Sequence, residues 1–479
     1  MLFSKKNILL LIGPVLFLTL AYGNLLPFNH EVSKVIGVAT WMLIWWISEI
    51  VDLPVTALLP IVIFPSFGIL DLATTASNYS NATILLFLSG FVFALAIEKH
   101  KLHERIALHI IRWIGTSSNR VVLGFMVATA FISMWVNNTA AALLMFPIAT
   151  SVLSILQQSI TSESSQKEFV LMSKALLLGL AYSASIGGTA TPIGTPTNAV
   201  LTGYFNEKLH TSLAFGNWLL IGLPLASIMT FMAYFILTRL VFKSRVAQLP
   251  ELTQIINHKI TELGKITFPE IVVITVFLLT TAAWILRVVL IKLPALAFLN
   301  DTIIGVSGAI ILFIVPHPAS KDQYIFVWKD MQKLPWGILF MIGGGLALAK
   351  TLESSGIVQL IANSVKNSGI NNGLIVLILV VGITLLLKTV IANTALATIL
   401  IPMVIGIANA SDIDPIMLGA PTTFAASFAF ILPMSTPPNA IVLTLGHIHV
   451  KDMMKAGIAI SLIGYLLLIS LNGFYRVML

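Results

Sequence analysis

Long apolar runs, rather than alternation of apolar and polar positions, organise this chain. They fall at about 7–24, 35–50, 54–68, 83–98, 119–155, 174–203, 216–241, 269–291, 302–316, 336–351, 373–408, 415–446 and 453–475. A helix needs ~20 apolar residues to cross the ~30 Å of bilayer hydrocarbon. A helix also closes its backbone hydrogen bonds internally, which the bilayer interior demands. The runs at 119–155 and 373–408 are too long for one crossing and read as hairpins that enter and leave on the same side. The two-residue period of a membrane β-barrel is missing. The pattern therefore predicts an all-α membrane protein with eleven transmembrane helices and two re-entrant hairpins.

Charge tests this map. The chain carries 27 basic and 19 acidic residues, a net charge of +8. Most of the basic residues lie in short loops between runs, and lysine and arginine favour cytoplasmic loops. That bias places the N-terminus in the cytoplasm and the C-terminus outside, in a plasma (inner) membrane. It survives only if the two long runs are hairpins. Topology thus accounts for the basic balance, and no nucleic-acid partner is expected. The first run follows Lys5 and Lys6 and imitates a signal peptide, but it lacks a small-residue cleavage site and reads as a retained helix. Between Lys101 and Trp113, polar and apolar residues alternate at helical spacing, which predicts a helix lying in the cytoplasmic interface. At 57% hydrophobic and 10% charged residues, the chain is not a soluble globular enzyme, a disordered chain or a fibre. Having no cysteine, it has neither disulfides nor thiolate chemistry.

The sequence repeats itself. Asn138-Thr-Ala with Pro147 matches Asn393-Thr-Ala with Pro402, Thr195-Pro-Thr-Asn198 matches Thr436-Pro-Pro-Asn439, and Gly90 with Ala94-Leu-Ala96 matches Gly343 with Ala347-Leu-Ala349. The offsets are 255, 241 and 253 residues, in the same order along both halves. Because the first unit enters from the cytoplasm and the second from outside, the repeats are inverted, the common plan of secondary transporters.

Each half is interrupted twice by polar residues, glycine and proline. The hairpins break at Ser133–Thr139 and Lys388–Thr394, and the long runs break at Gly187–Asn198 and Pro433–Asn439. Non-helical backbone at membrane depth survives only inside protein or beside a cavity. Its freed carbonyls suit a desolvated Na⁺, and N–H groups at half-helix N-termini suit a carboxylate or sulfate. Asparagine, threonine and glycine also serve as plain packing residues between membrane helices, but four breaks in two symmetric pairs point to a binding site. Lys388 is the oddest residue, an ammonium about 15 residues inside an apolar hairpin where it costs several kcal/mol unless paired or hydrated.

At these positions the chain resembles the divalent anion:sodium symporter family, whose members carry dicarboxylates, citrate or sulfate. The stretch from Trp45 to Pro60 looks like its early signature, and the two Asn-Thr sites look like its paired Ser-Asn-Thr hairpin tips. The resemblance implies a homodimer of elevator type. Residues 1–98 and 269–351 would form the scaffold, and 119–241 and 373–479 the transport parts. An interfacial helix (99–118), a cytoplasmic connector (242–268) and an outer connector (352–372) would join them. It also implies substrate contacts at Asn137, Asn138, Thr139, Thr195, Ala392, Asn393, Thr394 and Pro437. A first Na⁺ would sit at Ser133, Asn137, Asn138 and the Gly194 carbonyl, and a second at Ala392, Asn393 and Ser435. Asn137 and Ala392 replace family serines, and Lys388 replaces a small hydroxyl residue beside the second Na⁺, where it would act as a tethered cation.

The expected function is Na⁺-coupled uptake of C4-dicarboxylates such as succinate, malate or fumarate, with Na⁺ as coupling ion and no cofactor. The alternatives are a Na⁺-independent exchanger in which Lys388 replaces one sodium, and a sulfate or citrate carrier. A membrane-embedded enzyme would need a catalytic set within the runs. His103 to His109 lacks the metalloprotease spacing, and no phosphate-binding loop occurs.

Overall fold

A computed structural model describes residues 5–115, 117–158, 163–206, 213–243, 250–318, 324–367, 372–444 and 446–478. Apart from one isolated bridge between Pro316 and Tyr324, the described residues hold no strand. The first half comprises α1 (Lys5–Tyr22), α2 (His30–Ser48), α3 (Leu53–Thr56), α4 (Leu59–Ser66), α5 (Leu72–Ser77), α6 (Ala82–Lys99), α7 (Leu102–Ile114), α8 (Ser118–Ser133), α9 (Asn138–Gln158), α10 (Glu163–Gly187), α11 (Pro196–Tyr204) and α12 (Phe215–Phe235). After the linking helix α13 (Pro250–Glu262), the second half comprises α14 (Phe268–Leu290), α15 (Asp301–Ile314), α16 (Trp336–Ser354), α17 (Ile357–Asn367), α18 (Gly373–Lys388), α19 (Asn393–Ala410), α20 (Pro415–Ser427), α21 (Pro437–Leu443) and α22 (Val450–Ser470). Among the described residues, eight helical stretches are long and apolar enough to cross a membrane, and five shorter apolar helices accompany them.

The helices begin where the sequence supplies caps. Asn29, Asn81, Asn300, Asn372 and Asp414 each accept a backbone N–H at the start of α2, α6, α15, α18 and α20. Thr267 and Glu270 form a reciprocal capping box on α14. Both long runs read as hairpins are pairs of helices, α8–α9 and α18–α19, separated by four residues each. The run at 174–203 is a broken helix, α10 and α11, and that at 415–446 is another, α20 and α21.

Three elements differ from the sequence reading. Helix α10 starts at Glu163, ahead of the apolar run that begins at 174, because Gln166, Lys167 and Glu168 are good helix formers that extend a helix without an apolar face. The stretch read as a cytoplasmic connector, 242–268, holds α13. The stretch read as an outer connector, 352–372, holds α17, whose buried Ile357, Val358 and Ala362 face α19. In chain order α17 is the repeat mate of α7, which the sequence did disclose. Gly406 of α19 leaves the space for this contact, since a Cβ there would lie 1.9 Å from Val358. Helix α7 is pinned on its other flank by Arg105. Its Nε lies 2.7 Å from Glu270 Oε1, and its Nη atoms donate to the Leu263 and Gly264 carbonyls at 3.1 Å. This half-buried clamp fastens α7 to the start of α14.

The two halves pack crosswise. Within each half the incoming hairpin arm lies on its own broken helix, α8 on α10 and α18 on α20. Each outgoing arm also reaches the half-helix of the other repeat, α9 touching α21 and α19 touching α11. Each hairpin thereby reaches the broken helices of both repeats.

Candidate functional site

The first break runs from Gly188 to Thr195 and is buried throughout. Asn198, fully buried on α11, reaches back across it, donating from Nδ2 to the Gly188 carbonyl at 3.1 Å and to the Thr191 carbonyl at 2.7 Å. These donations replace the helical bonds the break has lost. Trp218 of α12 supplies another, from Nε1 to the Thr189 carbonyl at 3.0 Å. The hairpin tip joins from the other side. The Ser133 hydroxyl donates to the Ala184 carbonyl at 2.5 Å and faces Asn138 Oδ1 at 3.1 Å, and the Thr191 hydroxyl donates to the Met134 carbonyl. Asn137 Oδ1 accepts the Ala140 N–H at 3.0 Å and so caps α9. Gly188 and Gly194 lack side chains for a geometric reason: a Cβ on Gly188 would lie 2.2 Å from Asn138 Oδ1, and one on Gly194 would lie 2.4 Å from the Gly188 oxygen. Ser133, Asn138 and the Gly188–Gly194 backbone therefore meet at one point, where every donor oxygen is neutral.

The second break repeats this plan with different groups. Asn439 donates to the Ala429 carbonyl at 2.9 Å and to the Leu432 carbonyl at 3.0 Å, the same ten- and seven-residue reach as Asn198. Thr195 and Thr436 both sit extended in front of a proline that opens the next half-helix, Pro196 and Pro437. Ser133 corresponds to Lys388, and Gly194 to Ser435. Lys388 is fully buried, and its ammonium donates to the Ser435 carbonyl at 2.7 Å and to the Ile391 carbonyl at 3.0 Å. It does not extend to the surface, and among the described residues it meets no carboxylate at the distances of an ion pair. The Ser435 hydroxyl donates to the Thr389 carbonyl at 3.1 Å, tying tip to break. Ala392 is the N-cap of α19 and offers no side-chain oxygen to it.

The two breaks are joined directly. Thr197 Oγ1 on α11 lies 2.6 Å from Ser427 Oγ at the end of α20, both fully buried. Asn138, Thr195 and Thr394 are buried, whereas Asn137, Thr139, Ala392 and Asn393 are half-buried and Pro437 is exposed. The structure brings together Ser133, Asn138 and Gly194 at the first break, and Lys388 and Ser435 at the second. Sequence reasoning passed over Asn198, Asn439 and Gly188, although both asparagines lie within the matched Thr-Pro-x-Asn motif at the 241-residue offset. Their identity at that offset was the available signal.

The arrangement accords with known proteins. A family model described as the sodium:sulfate symporter transmembrane region matches residues 4–479. The chain is similar to the sodium-dependent dicarboxylate transporter SdcS of Staphylococcus aureus (strain bovine RF122 / ET3-1), at 36% identity over 96% of this chain and 89% of that one. It is 34% identical to SdcS of Staphylococcus saprophyticus over the same shares. Its fold resembles the crystal structure of the Alcanivorax borkumensis YdaH transporter, with a TM-score of 0.52 at 14% identity, covering 84% of this chain and 88% of that one. A match spanning 476 of 479 positions, on a multi-pass bundle of apolar helices, places the chain among integral membrane transporters rather than enzymes. The chain belongs to the sodium:sulfate symporter family.

Proposed function

We propose that this chain is a secondary active transporter of small dianions, taking up C4-dicarboxylates such as succinate, malate and fumarate together with Na⁺. The observation that carries this reading is the meeting of two repeat-related hairpin tips with two broken helices, tied at Thr197 and Ser427. The relatives named as sodium-dependent dicarboxylate transporters support the choice of substrate and ion. In this reading the dianion lies between the tips, against Asn137, Asn138, Thr139 and Thr195 on one side and Ala392, Asn393, Thr394 and Pro437 on the other. One Na⁺ rests on the Ser133 hydroxyl, the Asn137 and Asn138 amides and the Gly194 carbonyl.

The second sodium position, at Ala392, Asn393 and Ser435, is altered by Lys388. Its ammonium already holds the Ser435 carbonyl, the repeat mate of the Gly194 carbonyl. At ~4 Å and an effective dielectric constant of ~20, it repels a second Na⁺ by ~4 kcal/mol. We take Lys388 as a tethered cation in that position, so fewer Na⁺ ions accompany each dianion. In the limit the protein exchanges dicarboxylates without Na⁺.

The larger architecture follows the same reading. The chain crosses the plasma (inner) membrane eleven times, N-terminus inside, with α8–α9 and α18–α19 as re-entrant hairpins. Residues 1–98 and 269–351 form a dimeric scaffold past which 119–241 and 373–479 slide. The test is uptake of labelled succinate into proteoliposomes, with and without an inward Na⁺ gradient. Uptake that malate and fumarate compete more strongly than sulfate, citrate or monocarboxylates supports the assignment. Stronger competition by sulfate or citrate than by any C4 acid overturns it.

A further inference from the structure

A column of rings runs from the first hairpin tip to the first residue of α15. Trp135, two residues before Asn137, stacks on Phe215 at 6.2 Å and 13° between planes. Phe215, the first residue of α12, stacks on Trp284 of α14 at 4.6 Å and 14°. Trp284 Nε1 then donates to the Asp301 carbonyl at 2.8 Å. The Asp301 carboxylate closes the circuit, accepting the Phe215 N–H at 3.0 Å and pairing with Arg287 at 3.3 Å. An N–H at a helix start has no partner within its own helix, so Asp301 caps α12 from a different element. Phe277 and Phe93 brace the column edge-on, at 4.7 Å from Trp135 and 6.4 Å from Trp284.

These groups divide along the seam of the proposed function, on which this inference rests. Trp135 and Phe215 belong to the part that slides, and Trp284, Phe277, Phe93, Arg287 and Asp301 belong to the part that stays. Contacts of this kind cannot survive a displacement by the length of a helical turn, because stacking and hydrogen bonding both fail within an ångström or two. We infer that the Trp135–Phe215–Trp284 column, anchored on Asp301, is a releasable latch that holds the sliding part in the present position and couples it to the first hairpin tip. One feature makes it releasable. Trp135 Nε1 is buried with no hydrogen-bond partner among the described residues, so a position of the tip that offers this donor an acceptor or water offsets part of the cost of leaving the latch.

The absence of cysteine makes the test direct. Asn206, two residues past α11, and Thr83 at the start of α6 face each other across the same seam, Nδ2 to Oγ1 at 3.4 Å. The pair Thr83→Cys with Asn206→Cys, oxidised in membranes by copper phenanthroline, reads the population in the latched position. The pair Lys174→Cys with Asp452→Cys, which replaces an ion pair of 2.8 Å within the sliding part, is the control. Loss of one stacked ring by Phe215→Leu should slow the seam disulfide about threefold to tenfold and leave the control unchanged. Trp135→Phe keeps the ring and removes the orphan donor, so it should speed the seam disulfide or leave it as fast. Equal seam rates in Phe215→Leu and its parent overturn the latch, and so does a parallel loss in the control pair, which would mark Phe215 as a packing residue only. If the seam disulfide forms fully and succinate uptake continues at the parent rate, the two-part sliding reading fails and takes the latch with it.

Discussion

The two breaks are built on one plan and finished differently. The first is enclosed on every side, its backbone held by Asn198 and by Trp218, and its cluster of Ser133, Asn138 and Gly188–Gly194 contains no formal charge. The second is held by Asn439 in the same way but lies half open. Val390 at its tip is 53% exposed and Met434 in its break is 70% exposed, while a buried ammonium sits at its centre. Symmetry of sequence has thus preserved the mechanical parts, the asparagines that bridge each break and the prolines that restart each helix. The electrostatic parts have diverged. In the proposed function a neutral oxygen cluster accepts and releases a cation, whereas the Lys388 amine is tethered to the chain and held on the Ser435 and Ile391 carbonyls.

The strongest way to break this comparison is at the tips. Asn138→Ala and Asn393→Ala should each reduce succinate uptake below detection while leaving the protein folded and of unchanged oligomeric size on gel filtration. If Asn393→Ala retains wild-type uptake, the tips are not functional mates. Next in size is Gly188→Ala. The new Cβ competes with Asn138 Oδ1 for the same place, so the amide swings away and the Na⁺ concentration for half-maximal uptake should rise about tenfold. Ala429, the repeat mate, already carries a Cβ, and Ala429→Gly should leave that concentration unchanged. A smaller contrast separates the bridging asparagines. Asn198→Ala strands two fully buried carbonyls and should cost about 2–4 kcal/mol in unfolding measurements. Asn439→Ala should cost about half as much, because its bond to Leu432 is only partly buried and water can substitute. Equal losses would show that the second break is as closed as the first.

Much of this was legible in the sequence, for identifiable reasons. Apolar run length disclosed the helices because the bilayer leaves the backbone no other option. Glycine, proline and asparagine at matched offsets disclosed the breaks because each of these residues has a backbone consequence visible from its type alone. Helix α17 was hidden, since eleven residues with three buried apolar positions look like any polar connector. The ring column was hidden more deeply. Trp135, Phe215 and Trp284 come from three distant segments, and nothing local to any of them distinguishes a stacked ring from a lipid-facing one. Lys388 stood out by its charge and the resemblance set it near Ser435, 47 residues away, but only the fold shows that its ammonium bonds the Ser435 carbonyl while the Ser435 hydroxyl turns to Thr389.

Lys388→Thr makes the smallest change in uptake rate, and it tests the electrostatic half of the comparison directly. The lysine replaces the repeat mate of Ser133, so threonine restores a hydroxyl where the first break has one. Removing the ammonium frees the Ser435 and Ile391 carbonyls, which are then buried acceptors without a donor. Such acceptors are costly to leave unmet, and a Na⁺ ion from solution is the species that can meet both. The mutant should therefore bind one more Na⁺ than the parent, seen as a Hill coefficient for Na⁺ higher by about one, the count expected when one site becomes vacant. Maximal uptake at saturating Na⁺ should stay within about threefold of the parent, because the charge beside the dianion is the same in both proteins once the site is filled. Should the parent already show the steeper Na⁺ dependence and the mutant gain none, the ammonium is a structural tie between tip and break rather than a stand-in for sodium.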